Sequence, residues 1–85
     1  MATAGKYTIS VVGMRRELVL CLGNAAEMAH GLHQYRRALV YATGAVQSAA
    51  SLPKTGADAK VDDAIKEKNI RRVDRAHSAL SQTTA

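Results

Sequence analysis

One periodicity constrains this chain more than any other feature. Counting from Val11 in alternating steps of three and four residues reaches Val11, Met14, Leu18, Cys21, Ala25, Met28, Leu32, Tyr35, Leu39, Ala42, Val46 and Ala49, all apolar or tyrosine. A 3.5-residue period held over more than five heptads is the seam of a helix packed nearly parallel or antiparallel to others. The flanking positions (Arg15, Glu17, Leu22, Asn24, Ala29, Gly31, Arg36, Ala38, Thr43 and Ala45) are too apolar for an isolated two-stranded zipper. Val12, Val19, Ala26 and Val40 sit about 100° round the helix from the first seam position. More than one packing neighbour is therefore expected.

The seam predicts a helix over 8–51, a rod of roughly 65 Å at about 1.5 Å per residue. Gly23-Asn24 competes with that reading. It is a good helix stop, and Asn24-Ala25-Ala26-Glu27 has capping-box spacing, which would give helices over 8–22 and 25–51. The phase of the seam passes through Gly23-Asn24 unchanged, which favours a continuous or merely kinked helix. Leu52-Pro53 ends the helical run, and Lys54-Thr55-Gly56-Ala57 is turn chemistry. Asp58 can cap a second helix over 59–81, with Asp62 and Asp63 early and Arg71, Arg72 and Arg75 late, an order that complements the helix dipole. Its apolar stripe is Val61, Ile65, Ile70, Val73, Ala76 and Leu80. Ile70 lies off the line through Val61 and Ile65, which predicts a drifting face or a bend near Lys68-Asn69. Residues 1–7 read as a loose N-terminus and 82–85 as a polar tail. Residues 7–12 have strand propensity but no second strand to pair with, so the segment reads as the start of the first helix. The fold class is all-α in a single domain over 1–85: a long N-terminal helix, a Pro-Gly turn and a shorter charged C-terminal helix. An unbroken first helix gives a helical hairpin, and a break at Gly23-Asn24 gives a three-helix bundle.

Composition adds a reason to self-associate. The chain has 85 residues, no Phe or Trp and three Tyr, although 47% of it is hydrophobic. A core of Ala, Leu and Val buries little apolar area per residue, and a chain this short removes only about 60% of its surface from water. A second helix of about 34 Å covers half of a 65 Å rod, leaving a long apolar stripe for other subunits. The longest apolar run, Leu18 to Leu22, is too short to span a bilayer. No signal-peptide pattern is visible, and a single Cys excludes an intrachain disulfide framework. These features suit a cytoplasmic protein or a component of a macromolecular assembly.

Residues 1–51 carry five basic and two acidic side chains and residues 52–85 carry seven and five, for a net charge of +5. Arg15-Arg16 and Arg36-Arg37 are three heptads apart, so on one helix they share a face with His30 and His33. Lys68, Arg71, Arg72 and Arg75 add cations on successive turns of the second helix. Such stripes can meet phosphates, although no aromatic side chains interleave with them to stack on bases.

Residues with chemical potential are few. Glu27-Met28-Ala29-His30 has the Glu-x-x-His spacing of helical di-iron proteins, with His33 beyond it, but only Glu17 is available as a further carboxylate on the first helix. A solvated polar face is the expectation, with no metal. Cys21, on the seam between Leu18 and Ala25, reads as a small core residue. Gly-rich phosphate loops, a Ser-His-Asp arrangement and paired-Cys metal spacing are absent from the sequence, so neither catalysis nor a cofactor is expected. Ala38, Ala42, Ala45, Ala49, Gly44 and Ser48 allow close helix approach. Leu52-Pro53-Lys54-Thr55-Gly56 is similar to the sortase sorting signal, Leu-Pro-any-Thr-Gly. A charged helix follows where that family has an apolar span and a basic tail, so the segment reads as a helix-breaking turn.

The expectation is a structural or assembly subunit that packs against copies of itself or a larger protein complex through Val11, Met14, Leu18, Met28, Leu32, Tyr35, Leu39 and Val46. In outline the chain is similar to the small helical hairpins of secretion needles and virion parts, with no diagnostic residue behind the comparison. The alternative is a small basic regulatory binder. It would occupy a partner protein or nucleic acid through Arg15, Arg16, Arg36, Arg37, Arg71, Arg72 and Arg75.

Overall fold

The computed structural model describes residues 11–83, which form three α-helices: α1 (Val11–Gly31), α2 (Tyr35–Ala50) and α3 (Ala59–Thr83). The loose segment expected over 1–7 and the residues at 84–85 lie outside the described residues. Val11 and Val12 are helical. α2 packs antiparallel between α1 and α3 in an up-down-up bundle.

The first helix is neither continuous to residue 51 nor broken at Gly23-Asn24. It runs through that dipeptide and stops at Leu32–Gln34. The stop is a Schellman motif. The amide of Gln34 donates to the Ala29 carbonyl (2.8 Å) and that of His33 to the His30 carbonyl (3.0 Å), which satisfies the last orphan carbonyls of α1. The motif needs one residue in the left-handed region, and His33 supplies it at φ 61°. Glycine usually takes that role, but histidine is among the side chains enriched there. Gly31, two residues earlier, is the last residue of α1. α2 then runs from Tyr35 to Ala50 and is C-capped by Ser51, whose hydroxyl donates to the Ser48 carbonyl at 2.7 Å. The amide of Asp62 donates to the Asp58 carbonyl at 2.9 Å, which puts Asp58 at the N-cap position of α3, where the sequence places it.

The core is small-residue packing. Ala38, Ala42, Ala45 and Ala49 form the buried face of α2, at the helical spacing that brings neighbouring backbones close. At one end Val19, Ala45, Ala49 and Leu52 cluster with Leu22 and Ile65 against them. At the other end Ala29, Ala38 and Ala76 are covered by Leu39 and Tyr41. Leu52, the first residue of the sortase-like pentapeptide, is thus held in the core.

Gly23 has a different role from the helix stop that the sequence suggests. A β-carbon there would lie 2.9 Å from Asn69 Oδ1 and collide with Arg72 Nη1, so the missing side chain makes room for the Asn69 amide and the Arg72 guanidinium where α3 crosses α1. Asn69 is buried in that crossing. Its amide nitrogen donates to the Ile65 carbonyl (3.0 Å) and its oxygen accepts from Arg72 Nη1 (2.7 Å). The inward position on α3 therefore belongs to Asn69 and not to Ile70, which is half-buried. The irregular apolar stripe marks this polar insertion in an unbroken helix. Gly44 differs again, since a β-carbon there would meet Leu22 Cδ1 at 3.5 Å, an ordinary contact. Gly44→Ala should gain about 0.8–1 kcal/mol from helix propensity. Gly23→Ala should lose stability despite the same propensity gain. Thermal denaturation of the two variants checks this. Stabilisation by both would show that nothing crosses at Gly23.

Ion pairs join α1 to α3 in parallel register. Arg16 Nε and Nη2 donate to Asp62 Oδ1 (2.7 Å) and Oδ2 (2.9 Å), with Asp58 Oδ2 at 3.7 Å from the same guanidinium. About three helical turns away, near the far end of α1, Glu27 Oε1 accepts from Arg72 Nε (3.0 Å) and Arg75 Nη2 (2.7 Å). The hydrogen bond from Arg16 and its charge lower the Asp62 pKa, outweighing burial, which acts the other way. Hydrogen bonds from Arg75 and then Arg72, together with their charges, lower the Glu27 pKa, again against burial. The Arg16 pKa is raised, chiefly by its hydrogen bond to Asp62. Carboxylates with depressed folded-state pKa values stabilise the fold fully above their unfolded values near pH 4, and that contribution disappears as pH falls through the folded values. The melting temperature should therefore drop between about pH 5 and pH 3. Asp62→Asn should start lower at neutral pH and decline less on acidification. An unchanged slope in that variant would show that the clamp contributes nothing.

Candidate interaction surface of the first helix

α1 turns two different apolar faces outward and inward. Val19, Gly23, Ala26 and Ala29 are buried and Leu22 is half-buried, and these pack against α2 and α3. The sequence seam lies about 120° round the helix from this face, and most of it is wet. Met14 is 59% exposed, Leu18 48%, Met28 69% and Leu32 65%. Exposed Cys21 and half-buried Ala25 complete the line, which runs for about 27 Å from Met14 to Leu32. None of its six members is polar in the sense of carrying a charge or an amide. Near Leu32 the line borders a shallow groove of about 200 Å³, formed by Ala25, Met28, Ala29 and Leu32 with Gln34, which caps α2, and Arg37 and Tyr41 of α2.

The other seam residues are arranged differently. Tyr35, Leu39 and Val46 belong to α2 and are half-buried, with Leu39 against the Ala29–Ala38–Ala76 cluster. Val11 opens α1. One sequence period thus serves two surfaces: interior packing on α2 and an open stripe on α1. Cys21, expected in the core, is exposed because its part of the seam faces outward.

The break at Leu32–Gln34 also separates the arginine pairs. Arg15-Arg16 begin α1 and Arg36-Arg37 begin the antiparallel α2, so they mark opposite ends of the bundle and do not share a helix face. Arg16, Arg72 and Arg75 are engaged by Asp62 and Glu27. Arg37 donates to Gln34 Oε1 at 3.3 Å, and Arg15, Arg36 and Arg71 are exposed.

The Glu-x-x-His spacing does not assemble a ligand set. Glu27 faces the two arginines, His33 Nδ1 hydrogen-bonds Tyr35 Oη at 2.7 Å, and the His30 ring meets the edge of Tyr35 at 5.1 Å between centroids. Among the described residues no three His, Cys, Asp or Glu side chains come together in a way that could hold a metal ion. No described helix is long and apolar enough to cross a membrane.

Sequence reasoning missed the polar line of Arg16–Asp62, Gly23–Asn69 and Glu27–Arg72. A nearly constant offset of about 46 residues between these partners is the register of two parallel helices, and no single residue announces it. No protein-family model, curated protein or solved structure matches the chain.

Proposed function

We propose that this protein is a helical assembly subunit and that the stripe from Met14 to Leu32 on α1 packs against a second copy of the chain. The observation behind this reading is that the strongest apolar period in the sequence is left uncovered along α1 while its continuation on α2 is used inside the bundle. Isologous pairing suits the stripe. Two α1 helices laid antiparallel about the level of Gly23 match Met14 with Leu32, Leu18 with Met28, and Cys21 with Ala25. Large residues then meet large ones towards the ends, and small ones meet at the centre. Covering the four large side chains on both copies removes about five side-chain equivalents from water, about 7–14 kcal/mol. That is the scale of the rigid-body cost of association. Homo-oligomerisation, or growth into a larger assembly, is the role this surface fits.

Cys21 gives a direct probe, because its thiol lies in the middle of the stripe. Its reaction rate with a soluble disulfide reagent should fall as protein concentration rises from about 1 µM through the micromolar range typical of moderate complexes. A rate that stays fast and independent of concentration up to the millimolar range would exclude pairing through α1.

A further inference from the structure

We infer that the outer edge between α1 and α3 is a second binding site, one that takes the phosphate backbone of a nucleic acid. Lys68, Arg71, Arg72 and Arg75 surround a groove of about 190 Å³ whose single carboxylate is Glu27. Spaced by three and four residues, these cations run about 10 Å along one helix. The geometry already shows where an oxyanion sits: one oxygen, Glu27 Oε1, receives hydrogen bonds from Arg72 Nε at 3.0 Å and Arg75 Nη2 at 2.7 Å. Asn69 Oδ1 fixes the Arg72 guanidinium from behind through Nη1 at 2.7 Å. Lys68 and Arg71 flank this pair, and neither has an ion-pair partner among the described residues. Phosphate oxygens are the chemistry that planar guanidinium donors and a flanking ammonium recognise. No aromatic or large apolar side chain lines the groove, so neither base stacking nor the apolar anchor of a protein interface is available. Backbone phosphates can be bound through charge alone, which gives sequence-independent, salt-dependent binding. The chain's net charge of +5 acts in the same direction.

In this account Glu27 is an internal competitor that occupies part of the site until a phosphate displaces it from Arg72 and Arg75. Removing its charge should therefore strengthen binding while loosening the α1–α3 clamp, a combination that a purely structural carboxylate would not produce.

The test is fluorescence anisotropy with a labelled DNA duplex of about 24 base pairs between roughly 50 and 200 mM salt, with helicity of every variant checked by circular dichroism. Two or three phosphate contacts give a log–log salt slope of about −2 to −3 for the wild-type chain. Glu27→Gln should tighten binding several-fold and steepen the slope by about one contact's worth, ~0.9. Lys68→Glu with Arg71→Glu should weaken it about tenfold or more, as charge reversal at two phosphate contacts requires. Asp62→Asn, which opens the other clamp without touching the groove, should leave affinity unchanged. Unchanged or weaker binding by a folded Glu27→Gln variant would overturn the inference. So would indifference to Lys68→Glu with Arg71→Glu, or equally tight binding of polyglutamate, which would assign the groove to acidic polypeptide instead.

Discussion

Replacing Met28 by Asp should yield a folded monomer. Met28 is 69% exposed, so its side chain contributes little to the interior, and helicity and melting temperature should stay close to those of a dissociated wild-type chain. Within a symmetric pair the same change acts twice. Each copy loses apolar burial and gains a carboxylate that pairing would strip of water without a partner, a cost of several kcal/mol at each site. Association should weaken about a thousandfold or more, since ~4 kcal/mol corresponds to that factor. Val61→Asp is the control. Val61 is likewise exposed at 54% but lies on α3, away from the stripe, and its substitution should leave association intact. Sedimentation velocity over a concentration series separates the two variants. Equal behaviour would remove α1 from the interface.

Ala45→Leu is expected to damage the fold itself. Ala45 has no exposed surface and lies in the cluster with Val19, Ala49 and Leu52, where α2 comes close to its neighbours because its inward face is alanine. Inserting three carbon atoms into that contact must part helices or force side chains from their rotamers, at about 1–3 kcal/mol or more. A domain of this size has only about 4–13 kcal/mol in total at typical stability per residue. The melting temperature should fall by about 10 °C or more, given roughly 4–8 °C per kcal/mol for small domains. Ala50→Leu, one residue beyond the buried face and exposed, should change it by only a few degrees. Similar melting temperatures for both variants would contradict the close packing of α2.

Much of the architecture was legible because it rests on local chemistry. Pro53 and the residues after it end α2, Asp58 lies at the N-cap of α3, and the period from Val11 to Ala49 marks apolar helical surface. The first break was hidden for two reasons. Histidine at position 33 takes a backbone conformation usually signalled by glycine, and the seam keeps its phase across the turn. Gly23 misled in the opposite direction: its signal is the same whether a helix ends or another helix crosses closely, and only the partner, here Asn69 and Arg72, decides. The surface role was half visible. The stripe from Met14 to Leu32 could be read from spacing, but which half of the seam α3 leaves open depends on tertiary placement. The arginine stripe failed for the same reason, since its shared face required an unbroken rod.

Absolute mass in solution tests most directly whether α1 is an interface between copies. Light scattering across a sizing column, at about 50 and 500 mM salt, should give particles of at least twice 9.1 kDa, and the high-salt mass should be no smaller because apolar burial is not screened. A particle of one chain's mass at both salt concentrations, at protein concentrations up to the millimolar range, would contradict the account.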